Sequence, residues 1–202
     1  NSFSPLQQQR RRIFYPRSLW AILCLAAALR LFGAFRFGLW LDEVYVHDDV
    51  LLPLQDNLRT LHFLHFLSIK PFLAISDSDF FLRLPSVLFG LVSIVLSFRA
   101  AYVFWGSRAA LIASLLVAFC PYMTHYSIDA NYYSHMIFWV FVALNALASF
   151  IVDRRIGGIF LLFAVSPIVF FVHPFSAIFF VSIFPLAFLH LIASSDFYAR
   201  AP

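Results

Sequence analysis

Asp42 and Glu43 stand side by side in Leu41-Asp42-Glu43-Val44-Tyr45, where an apolar run begun near Leu19 gives way to the one long hydrophilic stretch. A carboxylate at the mouth of a membrane helix is costly to keep there and marks chemistry. Partly screened from water, it can accept a proton from an attacking hydroxyl. Burial raises its pKa and a nearby cation lowers it again. The plainer alternative is a solvated helix end with acids at the interface. Glu43 and His47 are four residues apart, so a helix would place them on one face. With Asp48 and Asp49, they offer oxygen and imidazole ligands suited to a divalent metal, against the alternative of a hydrated acidic patch. His47, Asp48 and His173 are the metal candidates.

A second polar stretch, Thr124 to Tyr133, separates two apolar runs and carries Asp129, Asn131, Tyr126, Tyr132 and Tyr133. The tyrosines could line a sugar pocket, or form an ordinary interfacial aromatic belt. His173 precedes Pro174 at a helix break, where a satisfied structural histidine is the plainer alternative. Arg83 and Lys70 border the 41–82 segment and could attract phosphate, or anchor an interface. Arg30 lies within the first apolar run and is expected to face the bundle and pair with an acid. No phosphate-binding loop, dinucleotide fingerprint or serine-nucleophile motif is present, so soluble nucleotide chemistry is not indicated.

The elements that must position these residues are membrane helices. The 202 residues are 62% hydrophobic and only 12% charged, too few charges for a water-soluble surface. Several apolar runs are long enough to cross a bilayer. The expected fold is an all-α polytopic transmembrane bundle of about six helices: 18–40, 84–104, 109–125, 132–152, 156–172 and a last one ending near 193. Residues 1–17 form a basic N-terminus, 18–193 the membrane domain and 194–202 a tail. The 41–82 segment is too apolar for a free loop and is expected to carry one or two interfacial helices. Pro121, Pro167 and Pro185 predict kinks.

Threading six helices puts Arg10, Arg11, Arg12, Arg17, Arg108, Arg154, Arg155 and Arg200 on one side, which makes that side cytoplasmic. The other side receives eight of the ten acids and six of the seven histidines. Ionisable chemistry therefore gathers on the non-cytoplasmic face. The net charge of +4 needs no nucleic-acid partner. Cys24 and Cys120 both fall in apolar runs, which argues against a structural disulfide.

Three stretches carry a family resemblance. Leu39-Trp40-Leu41-Asp42-Glu43-Val44-Tyr45 resembles the first-loop acidic motif of the GT-C polytopic membrane glycosyltransferases. Asp77-Ser78-Asp79-Phe80-Phe81-Leu82-Arg83-Leu84-Pro85-Ser86-Val87-Leu88-Phe89-Gly90 resembles the entry to their next core helix. Tyr126-Ser127-Ile128-Asp129-Ala130-Asn131-Tyr132-Tyr133 resembles their second external loop, with Asp129 for the usual Glu and Asn131 for the usual Arg. The branch resembled is that of protein mannosyltransferases and aminoarabinose transferases.

The resemblance implies an inverting transferase that moves a sugar from a polyprenyl-phosphate donor to an acceptor hydroxyl on the non-cytoplasmic face. Asp42 would be the general base and Glu43 its catalytic support. Asp129, Arg83, Lys70, Tyr126, Tyr132 and Asn131 would bind substrate. A divalent metal is the one cofactor implied, and membrane lipids and membrane-protein partners are expected. The compartment expected is the bacterial inner membrane, with the N-terminus cytoplasmic. Relatives are commonly two to three times longer, so the chain is expected to be an N-terminal part. A non-catalytic scaffold or accessory subunit of a membrane complex is the rival reading.

Overall fold

The computed structural model describes residues 15–152 and 155–199, with side chains beyond Leu189 described only at Ile192. Arg10, Arg11, Arg12, Arg154, Arg200 and the side chain of His190 lie outside the described residues. Every described element is an α-helix: α1 (Arg17–Arg36), α2 (Leu41–Leu51), α3 (Leu54–Asn57), α4 (Phe63–Leu73), α5 (Asp79–Trp105), α6 (Ser107–Phe119), α7 (Pro121–Ile128), α8 (Tyr133–Ile151), α9 (Ile156–Val172) and α10 (Ser176–Ala199).

By length and apolarity, α1, α5 and α8 can each cross a bilayer, and α6 with α7 makes a fourth span bent by 54°. The helices expected at positions five and six are both present; α10 runs over 24 residues, Ser176–Ala199, and α9 is the shorter. α9 has 17 residues, about 26 Å of helix against a hydrocarbon core of about 30 Å. Among the described residues the bundle thus has three long spans, one broken span, the shorter α9, and α10, whose apolar character is described as far as Leu189. The 41–82 segment holds three helices, α2 to α4, rather than one or two. Pro53 explains the first interruption: it holds Leu52 extended, at ψ 155°, and ends α2.

Two helix ends that the apolar pattern alone runs together are separated by specific chemistry. Pro121 has no backbone N–H, so it starts α7 and frees carbonyls at the end of α6. Arg30, completely buried, donates to two of them, Ala118 at 2.9 Å and Val117 at 3.2 Å. The expected acid partner for Arg30 is therefore replaced by carbonyl oxygens. In a bilayer those oxygens have no water to turn to. α1 likewise stops at Arg36, four residues before the apolar pattern does, and its open carbonyls are taken by Arg83 from α5.

Three apolar clusters hold the bundle. Leu19, Ala26, Ile94, Phe98, Ala110 and Ala118 join α1, α5 and α6. Ala143, Ala146, Leu162, Val169 and Ile183 join α8, α9 and α10. Val46, Val50, Phe66, Ile69 and Leu82 seat α2 and α4 on α5. Small residues set the closest approaches, as expected where lipid cannot drive helices together by the hydrophobic effect. A Cβ at Gly158 would lie 2.5 Å from the Ala146 carbonyl oxygen and 2.8 Å from the Phe150 nitrogen. Both obstacles are backbone, so no rotamer change relieves them. Gly157, one position earlier, faces open space.

Gly158→Ala is expected to lower stability by about 1–3 kcal/mol through overpacking. Gly157→Ala should be neutral or stabilising by up to about 1 kcal/mol from helix propensity. Thermal unfolding in detergent micelles reads both, and equal midpoints for the two variants would contradict the close α8–α9 approach.

Candidate active site at the carboxylate end

Four segments meet around one carboxylate. Glu43, in the first turn of α2, is fully buried. Its Oε1 accepts from Arg83 Nε at 2.6 Å and from the Ala130 backbone N–H at 2.9 Å. Its Oε2 accepts from Arg83 Nη2 and from the Trp40 backbone N–H. Arg83 is equally committed. Besides its two bonds to Glu43, it donates through Nη1 to the carbonyls of Ala34 and Phe37 and through Nη2 to that of Gly38. A guanidinium has five N–H donors, and all five are spent. In this arrangement Arg83 ties the α1 end, α2, α5 and the 129–132 connector together and has no donor left for a phosphate.

Lys70 is also occupied. Its ammonium donates to the carbonyls of Val50, at 2.5 Å, and Leu52, at 2.7 Å, closing the C-terminal end of α2. That end is about 12 Å from Asp42 along the helix, at 1.5 Å per residue. Lys70 and Asp42 are therefore not brought together.

Asp42 is exposed on the first turn of α2, next to the fixed Glu43. Its charge bears on the hydroxyl of Tyr132, as does that of Asp129. Burial and a hydrogen bond with Tyr133 push the Tyr132 hydroxyl up to about 12, so it stays a neutral donor. Asp129 is buried, and its Oδ1 accepts from the Trp40 indole Nε1 at 3.2 Å. Burial first, then the charge of Glu43, pushes its carboxyl up to about 7, against the opposing effects of Trp40 and Arg83. A hydrogen bond with Glu43 also favours its protonated form. Glu43 is paired with a guanidinium, and its charge is one cause of the raised pKa of Asp129 beside it.

Beside these acids lies a wall of rings. Tyr132 stacks on His62 at 4.5 Å and lies 4.2 Å from His173; Tyr133 lies 4.6 Å from Tyr126. Asn131 is buried and turns its side-chain oxygen onto the Tyr132 N–H at 2.9 Å, which fixes the start of α8. His65 Nε2 meets the Ala130 carbonyl at 3.1 Å, and burial lowers its pKa to about 4, so it acts as a neutral donor there.

The metal candidates are dispersed. His47 bonds to Asp77 at 2.7 Å and lies 3.6 Å from Asp48, while His173 stands in the ring wall with His62 and Tyr132. Among the described residues no three His, Cys, Asp or Glu side chains are gathered for a metal. The Asp77 hydrogen bond raises the His47 pKa, and the pair clips α2 to the turn before α5.

Three participants escape the sequence reading. Trp40 looks like the last residue of an apolar run, yet its indole holds Asp129. His62 is the centre of the ring wall, and its Nδ1 meets the Val172 carbonyl at 2.9 Å. The Ala130 N–H carries no side-chain signal at all. For His62, the cues are its place just before an apolar interfacial helix and its membership of the histidines gathered on one face.

Glu43→Ala strips a buried guanidinium of its counter-charge and is expected to cost about 3–5 kcal/mol, read as a large fall in the thermal midpoint. Asp129 titrates at 3.8 ordinarily and at about 7 when folded. Between those values the folded chain binds the extra proton, so its stabilisation is full below the lower value and lost as pH rises through the upper. The wild-type midpoint should fall from pH 5 to pH 8. Asp129→Asn, which can accept from Trp40 and donate to Glu43 at every pH, should remove most of that slope; an unchanged slope would exclude Asp129 as its source.

The sequence model of the dolichyl-phosphate-mannose-protein mannosyltransferase family matches residues 63–199. The matched span contains Arg83 and Asp129, while Asp42 and Glu43 precede it. No curated protein and no solved structure matches the chain. The match covers more than half of the chain, and apolar helices, a buried arginine latch and a carboxyl-lined end accompany it. The chain belongs to the dolichyl-phosphate-mannose-protein mannosyltransferase family and is an integral membrane protein of the GT-C glycosyltransferase type.

Proposed function

We propose that the chain, or the longer protein of which it is a part, transfers a sugar from a polyprenyl-phosphate donor to an acceptor hydroxyl, with Asp42 as general base. The observation that carries this reading is the contrast between adjacent carboxylates. Glu43 is buried and saturated with hydrogen bonds, whereas Asp42 is exposed beside it on the same fixed turn. Glu43 is a positioning residue in this scheme: it locks the turn that presents Asp42. A base must be held in place and still be reachable.

The acceptor hydroxyl attacks the anomeric carbon as the bond from that carbon to the phosphate oxygen breaks. The hydroxyl proton passes to the Asp42 carboxylate, and the phosphate leaves on its lipid. Attack opposite the leaving group inverts the anomeric configuration. Tyr132, kept protonated, can turn its hydroxyl to a sugar or phosphate oxygen, and the half-buried rings of Tyr126, Tyr132 and Tyr133 can line a sugar pocket. Asp129, buried between Trp40 and Glu43, supports the turn that presents Asp42 and does not itself face the substrate. The reading puts this end of the bundle on the non-cytoplasmic side, away from Arg108 and Arg155.

The test is glycosyl transfer by the purified full-length protein from polyprenyl-phosphate mannose, compared with Asp42→Asn. Loss of a general base is expected to slow transfer by about 100-fold or more, with donor binding retained. Unchanged turnover would remove Asp42 from the role. Absence of transfer by the wild type from any lipid-phosphate sugar would favour the non-catalytic scaffold.

A further inference from the structure

The opposite end of the bundle carries a second feature that the transfer chemistry does not use. A cleft of about 270 Å³ opens between the C-terminal half of α5, α8 and the first turn of α9. Arg99 and Arg155 both line it and are both exposed. Among the described residues neither has an ion-pair partner. The contrast with Arg30 and Arg83 is direct, since those two are buried and committed to protein oxygens. Asn145 also lines the cleft. It is only 7% exposed; its amide nitrogen bonds to the carbonyls of Leu96 and Phe141, and its Oδ1 is buried without a partner. An unpaired buried acceptor costs free energy that a donor on a bound molecule would recover.

The cleft also sits at a telling depth. Arg99 is six residues from the end of α5 at Trp105, about 9 Å inside the helix terminus. A 27-residue helix of about 40 Å, centred on a hydrocarbon core of about 30 Å, would put Arg99 a few Å inside the core boundary, from where an arginine side chain reaches the head groups. The rest of the lining is largely apolar, Val142 and Leu161 included, and Gly157 leaves one wall without a side chain.

We propose that this cleft binds the head group of an anionic phospholipid. Arg99 and Arg155 take the phosphate, Asn145 Oδ1 accepts from a head-group hydroxyl, and the apolar lining receives the start of the acyl chains. Basic pockets between membrane helices at the cytoplasmic surface recognise lipid phosphates in this way. A free phosphate would satisfy the arginines but leave both the Asn145 oxygen and the apolar lining unused. The proposal rests on neither Asp42 nor the transfer reaction.

The experiment is native mass spectrometry of the purified full chain in a neutral detergent. The probes are phosphatidylglycerol, phosphatidylcholine with the same acyl chains, and inorganic phosphate. One phosphatidylglycerol per chain should be retained, with about tenfold or greater preference over phosphatidylcholine. The double substitution Arg99→Gln and Arg155→Gln should abolish that preference. Gly157→Leu should lower occupancy by filling the cleft, since a Cβ there meets nothing within 4 Å, with the thermal midpoint kept. Equal retention of the two lipids, or retention unchanged in both variants, would overturn the proposal. Displacement of phosphatidylglycerol by millimolar inorganic phosphate would reassign the cleft to a free anion and overturn it equally.

Discussion

The Glu43–Arg83 pair is the constraint on which the carboxylate end depends. Desolvating two charges is expensive, and a buried pair compensates only when its remaining hydrogen-bonding capacity is filled. Here it is filled on both sides. Arg83 spends five donors, and Glu43 accepts from two backbone amides as well as from the guanidinium. The partners come from the end of α1, the start of α2, α5 and the connector before α8. Each would be an exposed or unsatisfied end without the others. The pair converts four chain ends into one rigid floor, and Asp42 stands on it because it is the residue next to Glu43.

The same physics recurs wherever a helix is interrupted. Arg30 covers the carbonyls released at Pro121, Arg83 those at the end of α1, and Lys70 those at the end of α2. Broken helices survive at membrane depth only where protein groups replace the missing hydrogen bonds. Three cations that suggest acid partners or phosphate contacts when read as isolated charges are, in the fold, caps for helix C-termini, where positive charge opposes the helix dipole. Outside these caps stand the exposed Asp42 with the ring wall beside it at one end, and the exposed Arg99 and Arg155 at the other. The two ends differ in charge and in chemistry, and the spans α5 and α8 reach both.

Much of this was legible in the chain. The membrane class, the helical fold and the start of α9 at Ile156 follow from apolar runs bounded by charge. The clustering of acids and histidines on one face follows from alternating the helices. Other features were not legible, for identifiable reasons. The run from Ser18 to Trp40 conceals the end of α1 at Arg36, because that end is set by a guanidinium arriving from residue 83. The run from Ala109 to His125 conceals a 54° bend, although Pro121 marks its place. The match that establishes the family starts at residue 63, so the acidic motif that first attracts attention is tied to it through the fold, by way of Arg83.

Sequence by itself determined the composition of each helix and which ends carry ionisable groups, because both are properties of contiguous residues and of the bilayer that must receive them. Tertiary structure alone decided how adjacent and distant charges divide their roles. Asp42 and Glu43 are chemically near-equivalent neighbours, yet successive positions on a helix turn point about 100° apart. One therefore faces Arg83 and the buried floor, and the other faces outward. That division depends on a residue forty positions away, and no local pattern encodes it.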